Sequence, residues 1–223
     1  MKRLRAVTLD LDGTLLDTAP DLAAACNRML AAMGFSTRST AEIRRFVGTG
    51  AETLVTRCLS FTAPPSAAAL EQGINLFRRF YAEENGRAAT PYPQVRQGLA
   101  ALRALGLPLA VVTNKHLAFA TPVLARTGLA EFFAFTVGGD STPHKKPHPE
   151  PLLHACRLLE VAPQENLHIG DSIHDARAAR AAGCQVWLLP YGYTEEQPFS
   201  AADCDRCVPD LLAASRALAG VKK

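Results

Sequence analysis

The chain has 223 residues, enough for one large domain or for a core domain with a smaller domain beside it. Its hydrophobic fraction of 48% and charged fraction of 20% are typical of a globular enzyme. The net charge of +3, without basic clusters beyond pairs such as Arg44-Arg45, argues against nucleic-acid binding. Asp10 and Asp12 interrupt the first apolar segment too early for a signal peptide, and the later apolar segments are too short to span a membrane. We therefore expect a cytoplasmic protein without nucleic-acid or membrane partners.

The six cysteines do not predict a disulfide framework, because the chain is long and rich in core residues. Cys204 and Cys207, in the segment CDRC, have the spacing of half a zinc site or of a redox pair. No second cysteine pair or paired histidine follows at ligand spacing, so we interpret both as ordinary thiols.

The first predicted element is a buried strand with two acids at its end. Residues 6–18 are AVTLDLDGTLLDT, in which the apolar residues favour a strand of a parallel sheet covered on both faces. Asp10 and Asp12 interrupt this run, and a buried carboxylate is costly unless a partner compensates its charge.

Residues 17–90 follow as a block of predicted helices. Asp17 or Thr18 can cap the first helix, Pro20 suits its first turn, and Gly34 ends it. Two short helices separated by glycines come next, and then a longer helix that ends near Gly86. We predict that 17–90 is an inserted helical cap domain and that 1–16 and 91–223 form the core domain.

Strands and helices alternate in residues 91–223. Predicted strands lie in LPLAVVTN, FAFTVGG, LHIGD and QVWLLP, with a last short apolar segment near Cys207, and helical segments separate them. This alternation predicts an α/β fold with a doubly wound parallel sheet, a Rossmann-like core.

Polar residues follow three of the predicted strands: Asp10 and Asp12, then Thr113 and Asn114, then Asp171. The carboxyl ends of parallel strands form the ligand crevice, so these residues are expected to converge. Each one alone is as easily a helix cap, a turn former or a solvated loop residue.

Taken together, these residues match the needs of phosphoryl chemistry. Clustered aspartates can hold a hard divalent cation, and a threonine hydroxyl, backbone amides and a lysine can bind phosphate oxygens. Lys145 and Lys146, after the strand FAFTVGG, can reach the same edge of the sheet.

The segments DLDGTLLDT, VVTN, KKPHP and GDSIHD resemble the four motifs of haloacid dehalogenase-like hydrolases, in the same order. The resemblance covers nearly the whole chain, including the helical insertion after the first motif. The stretches GGD…KKPHPEPL and GDSIHDARAARAAG resemble the phosphoglycolate phosphatase family within that superfamily.

The resemblance implies a catalytic role for three residues. Asp10 would attack phosphorus as the nucleophile, and Asp12 would be the general acid and then the general base. Lys146 would neutralise charge on the nucleophile and the phosphate. Thr113, through its hydroxyl, and Asn114, through its backbone amide, would bind phosphate oxygens.

The resemblance also implies a Mg²⁺ cofactor. Asp10 and Asp171 would bind it through their side chains and Asp12 through its backbone carbonyl. Asp175 would either support the metal site or orient Lys146. The ligands are hard oxygens, so the sequence does not separate Mg²⁺ from Mn²⁺ or Co²⁺.

The expected reaction is hydrolysis of 2-phosphoglycolate, a small phosphate monoester, through an aspartyl-phosphate. Asp12 argues against a dehalogenase, because a halide leaving group needs no proton, and the lack of lysine between Arg3 and Lys115 argues against a Schiff-base phosphonatase. Thr14, assigned to substrate binding, fits a phosphatase better than a phosphomutase.

Three alternatives stay open: a phosphatase for sugar phosphates or amino-sugar acid phosphates, a phosphomutase, and an inactive regulatory relative. In RRFVGTGAE, Arg44 or Arg45 could bind the substrate carboxylate, and we select Arg45. The sequence leaves open whether the protein is a monomer or a homodimer.

Overall fold

A computed structural model describes residues 4–193 and 199–221 of the chain. Its centre is a six-stranded sheet with the strand order β5-β4-β1-β6-β7-β8, and every neighbouring pair is parallel. The six strands are β1 (Ala6–Leu9), β4 (Leu109–Val112), β5 (Phe135–Val137), β6 (Asn166–Gly170), β7 (Gln185–Leu188) and β8 (Arg206–Cys207). The predicted parallel α/β sheet is confirmed.

The central strand β1 is buried throughout, as its apolar sequence predicts. Val7 lies opposite Leu109 of β4 on one side and Leu167 of β6 on the other. Because β1 has a hydrogen-bonded neighbour on both sides, whatever follows its last residue is placed in the middle of the sheet's carboxyl edge.

Helices cover both faces of the sheet and bury a separate apolar cluster on each. The chain forms α5 (Val95–Ala104), α6 (Leu117–Arg126), α7 (Glu150–Leu158), α8 (Ile173–Ala182) and α9 (Leu211–Val221) around it. Val111 belongs to one cluster and Val112 to the other, which is the alternation expected of a strand. Among the described residues, no helix combines the length and apolar character needed to cross a bilayer.

Four further helices lie between β1 and β4 in the chain and have an apolar cluster of their own. They are α1 (Ala19–Ala32), α2 (Thr40–Phe46), α3 (Ala51–Leu59) and α4 (Ala67–Glu84). Phe77 and Tyr81 of α4 are almost completely buried in this cluster. The helical character predicted for this part of the chain is confirmed, and its status as a cap domain stays a prediction.

A short antiparallel ribbon frames these helices, and we did not predict it from the sequence. It consists of β2 (Leu16–Asp17) and β3 (Thr90–Pro91), with Asp17 opposite Thr90. Strands of two residues are too short to show an alternating pattern, so no periodic signal marks them.

Asp21, near the start of α1, joins the segment that leads from the sheet into the four helices to the segment that leads back to the sheet. Its buried carboxylate accepts hydrogen bonds from the backbone amides of Gly86 and Ala88 at 2.7 Å each, and of Ala89 at 3.2 Å. The segment that enters the helical cluster is therefore joined to the segment that leaves it.

Candidate active site

The candidate site lies at the carboxyl ends of three adjacent strands. Asp10 directly follows β1, Thr113 follows β4 and Asp171 follows β6. The amide of Asp10 donates to the carbonyl of Ile169 at 3.0 Å, so the sheet pattern continues up to the first carboxylate.

Three acidic side chains converge there. Carboxylate oxygens of Asp10, Asp171 and Asp175 lie within 4.8 Å of one another, and Asp171 and Asp175 are almost fully buried. Burial raises the pKa of Asp10 to about 6, an effect that Lys146 opposes and that the charges of Asp175 and Asp12 reinforce. Burial, together with the charges of Asp175 and Asp10, also holds the pKa of Asp171 well above its usual range.

Asp171 is fixed in place by two hydrogen bonds. Its Oδ1 accepts from the hydroxyl of Thr14 at 2.6 Å, and its Oδ2 accepts from the amide of Tyr193 at 2.7 Å. The backbone passes so close that a Cβ at Gly13 or Gly192 would lie within about 2.2 Å of Oδ2, and Gly13 also has a φ of 90°. Only glycine is compatible with this close approach.

Lys146 lies beneath the acids and connects two of them. Its Nζ is 2.6 Å from Oδ1 of Asp175 and 2.9 Å from Oδ1 of Asp10, and it also donates to the carbonyl of Val112 at 2.8 Å. Burial disfavours the ammonium form, but Asp10 and Asp175 outweigh that effect and raise the pKa of Lys146. The lysine is therefore a fixed positive charge beside Asp10.

Both oxygens of Asp175 are occupied by groups of the protein. Oδ1 is bonded to Lys146 and to Nε2 of His168, and Oδ2 accepts from the amide and the hydroxyl of Ser172 as the cap of α8. Burial opposes its ionisation, but Lys146 and His168 prevail and lower the pKa of Asp175 far below its usual range. This environment suits a positioning residue better than a metal ligand, although its oxygens lie in the acidic cluster.

The arrangement fits a hard cation. Oδ1 of Asp10 is buried and, although 2.9 Å from Lys146 Nζ, has no hydrogen-bond partner. Lys146 contacts two of the three clustered carboxylates, Asp10 and Asp175, so the cluster brings three acids to one ammonium group. Oxygen donors of this kind are those that Mg²⁺ prefers.

Asp12 lies on the other side of Asp10, towards the helical cluster. Its Oδ1 accepts from the hydroxyl of Thr18 at 2.6 Å, and both of its oxygens lie 2.9 Å from Nζ of Lys115. Asp12 is thus held by residues of two separate segments.

Asn114 holds the backbone around Lys146. Its side-chain oxygen accepts from the amide of Lys146, and its Nδ2 donates to the carbonyls of Lys146 and Gly48 at 2.9 and 3.0 Å. Because Gly48 follows α2, the same side chain also joins the sheet edge to the helical cluster. Thr113 lies at the cavity with its hydroxyl oxygen accepting from the amide of Lys115.

Two residues that we predicted to bind substrate lie elsewhere. Thr14 is fully buried and donates to Asp171, because the turn at Gly13 directs it beneath the acids. Arg45 lies on the exposed side of α2, whereas Arg44 points inward and pairs with Asp17 at 2.6 Å. Thr14 is therefore a support for Asp171, and Arg45 does not line the cavity.

A cavity separates the acids from the helical cluster. Asp10, Asp12, Thr113, Asn114 and Lys115 line it from the sheet side. The opposite wall is largely apolar and includes Leu22, Val47, Leu54, Phe77 and Tyr81.

The sequence did not lead us to Lys115 or Tyr193. Tyr193 donates its hydroxyl to Asp17 at 2.9 Å and accepts from the amides of Thr18 and Ala19, so it fixes the entry into α1. Lys115 carries one available signal, its position directly after Thr113 and Asn114 at the end of β4. For Tyr193 the sequence offers none beyond its closeness to the end of β7.

Comparison with known proteins places this geometry in a family. The model of the haloacid dehalogenase-like hydrolases matches residues 7–189. A phosphoglycolate phosphatase from Nitrosospira multiformis is 46% identical over 96% of this chain and 95% of its own length. Another, from Thiobacillus denitrificans, is 44% identical over 95% of this chain and 94% of its own.

A solved structure agrees with these relatives. The crystal structure of a predicted phosphoglycolate phosphatase from Haemophilus somnus 129pt is 32% identical, with a TM-score of 0.90 over 97% of this chain and 99% of that one. The chain therefore belongs to the haloacid dehalogenase-like hydrolases and, within them, to the phosphoglycolate phosphatase family.

Proposed function

We propose that this protein is a Mg²⁺-dependent phosphatase that hydrolyses 2-phosphoglycolate to glycolate and phosphate. The observation that carries the proposal is the convergence of Asp10, Asp12, Lys146 and Asp171 at one edge of the sheet. The names of the curated relatives, which match the chain over almost its full length, support the choice of substrate.

In the first step, a carboxylate oxygen of Asp10 attacks phosphorus and forms an acyl-phosphate bond. The bond between phosphorus and the ester oxygen breaks, and Asp12 donates a proton to that oxygen as glycolate leaves. Lys146, 2.9 Å from Asp10, stabilises the negative charge that accumulates beside the nucleophile.

In the second step, water attacks the phosphorus of the aspartyl-phosphate. Asp12, now deprotonated, accepts a proton from that water, phosphate is released and the carboxylate of Asp10 is restored. Thr18 keeps Asp12 in place for both proton transfers through its 2.6 Å hydrogen bond.

Asp10 and Asp171 are the proposed side-chain ligands of Mg²⁺, and the backbone carbonyl of Asp12 is a third. When bound, the cation would supply a counter-charge for the phosphoryl group and for the buried carboxylates. The hydrogen bonds from Thr14 and Tyr193 would keep Asp171 oriented, a support that metal ligands commonly need.

The phosphate would be bound by the hydroxyl of Thr113 and the backbone amide of Asn114. The oxygen of Thr113 already accepts from Lys115, so its own proton can be donated to a phosphate oxygen. The side chain of Asn114 is engaged with Lys146 and Gly48, which leaves phosphate binding to its backbone.

The cavity favours a small substrate over a sugar phosphate. Its helical wall carries apolar side chains such as Leu22, Leu54 and Phe77, which offer no hydrogen bonds to sugar hydroxyls. We assign residues 17–90 to a cap domain that supplies this wall, and residues 1–16 and 91–223 to the core domain. A cytoplasmic location is consistent with the six unpaired thiols of the chain.

The decisive experiment is the measurement of kcat/KM for 2-phosphoglycolate with Mg²⁺, beside a panel of sugar phosphates and p-nitrophenyl phosphate. We expect 2-phosphoglycolate to exceed the panel by about a hundredfold, or about 2.7 kcal/mol of transition-state binding, and EDTA to abolish turnover. A sugar phosphate at the head of the panel would contradict the substrate, and phosphoryl transfer to a second sugar position would indicate a mutase.

A further inference from the structure

Lys115 is a buried cation at the cavity that the reaction above does not use. Its side chain is 5% exposed, its Nζ lies 2.9 Å from both oxygens of Asp12, and it lies 4.9 Å from the centre of the Tyr81 ring. Burying a lysine between an acid and an aromatic ring costs desolvation free energy. The position of Lys115 therefore indicates a functional role beyond its ion pair with Asp12.

Lys115 differs from the other ionisable residues at the cavity because it carries an amine that faces the acids. Among the described residues that line it, the ionisable side chains on the sheet side are Asp10, Asp12, Lys115 and His116. His116 lies 3.5 Å from Asp140, a half-exposed acid, so its ring is directed partly towards another partner.

The helical side does not supply an alternative cation from α2. Arg44 is paired with Asp17 at 2.6 Å and lies over the ring of Tyr193, and Arg45 is exposed. A carboxylate that enters the cavity would therefore be buried against an apolar wall, where an unpaired charge is strongly disfavoured. Among the described residues that line the cavity, Lys115 is the lysine that can compensate it.

The distances agree with the chemistry of the substrate. To be protonated by Asp12, the ester oxygen must lie within hydrogen-bond reach of its carboxyl group. The carboxyl carbon of 2-phosphoglycolate is only two covalent bonds from that oxygen. Because Nζ of Lys115 already contacts both oxygens of Asp12, the substrate's carboxylate comes within reach of the same ammonium group.

We propose that Lys115 binds the carboxylate of the substrate and thereby selects phosphate monoesters that carry a carboxylate next to the ester carbon. This inference rests on the proposed function and refines it. The sequence led us to expect that Arg45, in the helical cluster, binds the substrate's carboxylate. The inference assigns this role instead to Lys115, at the end of β4.

The test compares two substrates that differ in one group: 2-phosphoglycolate and 2-hydroxyethyl phosphate, in which a neutral alcohol replaces the carboxylate. The ratio of their kcat/KM values isolates recognition of the carboxylate from effects on the chemical step. We expect Lys115→Met to lower this ratio by at least about thirtyfold, because one partner of a buried charge pair is lost. Lys115→Arg should restore a large part of it.

A control uses Lys145, a lysine of the loop between β5 and α7. Lys145 has its Nζ beside Gly50 but does not line the cavity, so Lys145→Met should leave the ratio within about twofold of wild type. An equal fall for both substrates in Lys115→Met would show that the lysine acts through Asp12 alone and would overturn the inference. So would a loss of the ratio in Lys145→Met but not in Lys115→Met.

Failure of the inference can be told apart from failure of the proposed function. If the wild-type protein does not prefer 2-phosphoglycolate to 2-hydroxyethyl phosphate, the proposed substrate is wrong. If the wild type has that preference and Lys115→Met keeps it, only the role of Lys115 is wrong. Circular dichroism of each variant checks that the fold is preserved.

Discussion

Asp175 and Lys146 form a buried ion pair, with Oδ1 of the carboxylate 2.6 Å from Nζ of the lysine. The two residues are separated by 29 positions in the chain, and the pair joins the loop before α7 to the first turn of α8. Asp175 also accepts from His168 and from Ser172, the N-cap residue of α8, so one carboxylate orients the lysine beside Asp10 and fixes the helix that follows Asp171.

Replacing Asp175 with asparagine should therefore affect stability as well as activity. Asp175→Asn leaves Lys146 without its nearest buried counter-charge, and we expect the free energy of unfolding to fall by about 3 kcal/mol or more. Urea unfolding measures this change. Asp203→Asn is the control, because Asp203 also accepts from the amide and the hydroxyl of the serine three positions earlier, Ser200, but in an exposed turn, and its loss should cost about 1 kcal/mol or less. Similar losses in the two variants would contradict the importance of the buried pair.

Replacing Asp10, the proposed nucleophile, should abolish activity without lowering stability. Asp10→Asn should lower kcat for p-nitrophenyl phosphate by about 10⁴-fold or more, while circular dichroism shows an unchanged fold. Burial raises the pKa of Asp10 to about 6, above its value of 3.8 in model compounds, so the ionised group destabilises the folded state as pH rises through that range. At pH 7 in EDTA, the variant should therefore melt at the same temperature as the wild type or above it. Retained turnover would remove Asp10 from the role of nucleophile.

Loss of the hydroxyl of Thr14 should weaken metal binding and leave binding of the substrate's phosphate nearly unchanged. Thr14→Val removes the 2.6 Å hydrogen bond to Asp171, and we expect the Mg²⁺ concentration for half-maximal activity to rise by about 10-fold to 100-fold. Activity is measured against Mg²⁺ concentration at saturating substrate. Thr121→Val, on the exposed side of α6, is the control. A raised KM for substrate with an unchanged Mg²⁺ dependence would instead support the contact with substrate expected from the sequence.

His168 should make the protein sensitive to acid. Burial lowers the pKa of His168 below its usual 6.5, although the hydrogen bond to Asp175 opposes that shift. As pH falls below about 6.5, the unfolded chain takes up a proton that the folded protein does not, so the free energy of unfolding decreases. The loss approaches about 1.4 kcal/mol per pH unit at most.

The variant His168→Gln tests this assignment. Urea unfolding between pH 7 and pH 5 should show a shallower loss of stability than in the wild type. His148→Gln, which removes a half-exposed imidazole, should leave the slope unchanged. An unaltered slope in His168→Gln would mean that other groups cause the acid sensitivity.

Arg45 provides a prediction of no effect. Its side chain lies on the exposed surface of α2, so Arg45→Ala should leave kcat/KM for 2-phosphoglycolate within about twofold of wild type. A selective rise in KM for this substrate, without one for p-nitrophenyl phosphate, would show that Arg45 reaches the cavity after all.

The sheet could be predicted because its strands are nearly continuous apolar runs. The apolar runs that contain Val7 and Leu9 in β1, and Val111 and Val112 in β4, indicate strands that are covered on both faces. The position of Asp10 and Asp171 at strand ends then followed from parallel topology alone.

The finer contacts could not be predicted, because they depend on where turns direct side chains. Thr14 follows Asp12 by two positions, which suggested a place in the cavity, but the turn at Gly13 directs it to Asp171. Arg44 and Arg45 are equivalent in the sequence, and only the packing of α2 distinguishes the inward residue from the exposed one. A lone lysine before a helix, as at Lys115, is most often solvated, so nothing local indicated its burial.

The three hydrogen bonds from Gly86, Ala88 and Ala89 to Asp21 have a mechanical consequence. These bonds join the two segments that connect the sheet to the helical cluster, one at the start of α1 and one at residues 86–89, close to the β2–β3 ribbon. A force that pulls the helical cluster away from the sheet is therefore shared by both segments. Neither segment can be pulled away alone without breaking buried charge-assisted bonds. Moving the start of α1 away from residues 86–89 therefore requires that all three of these bonds break.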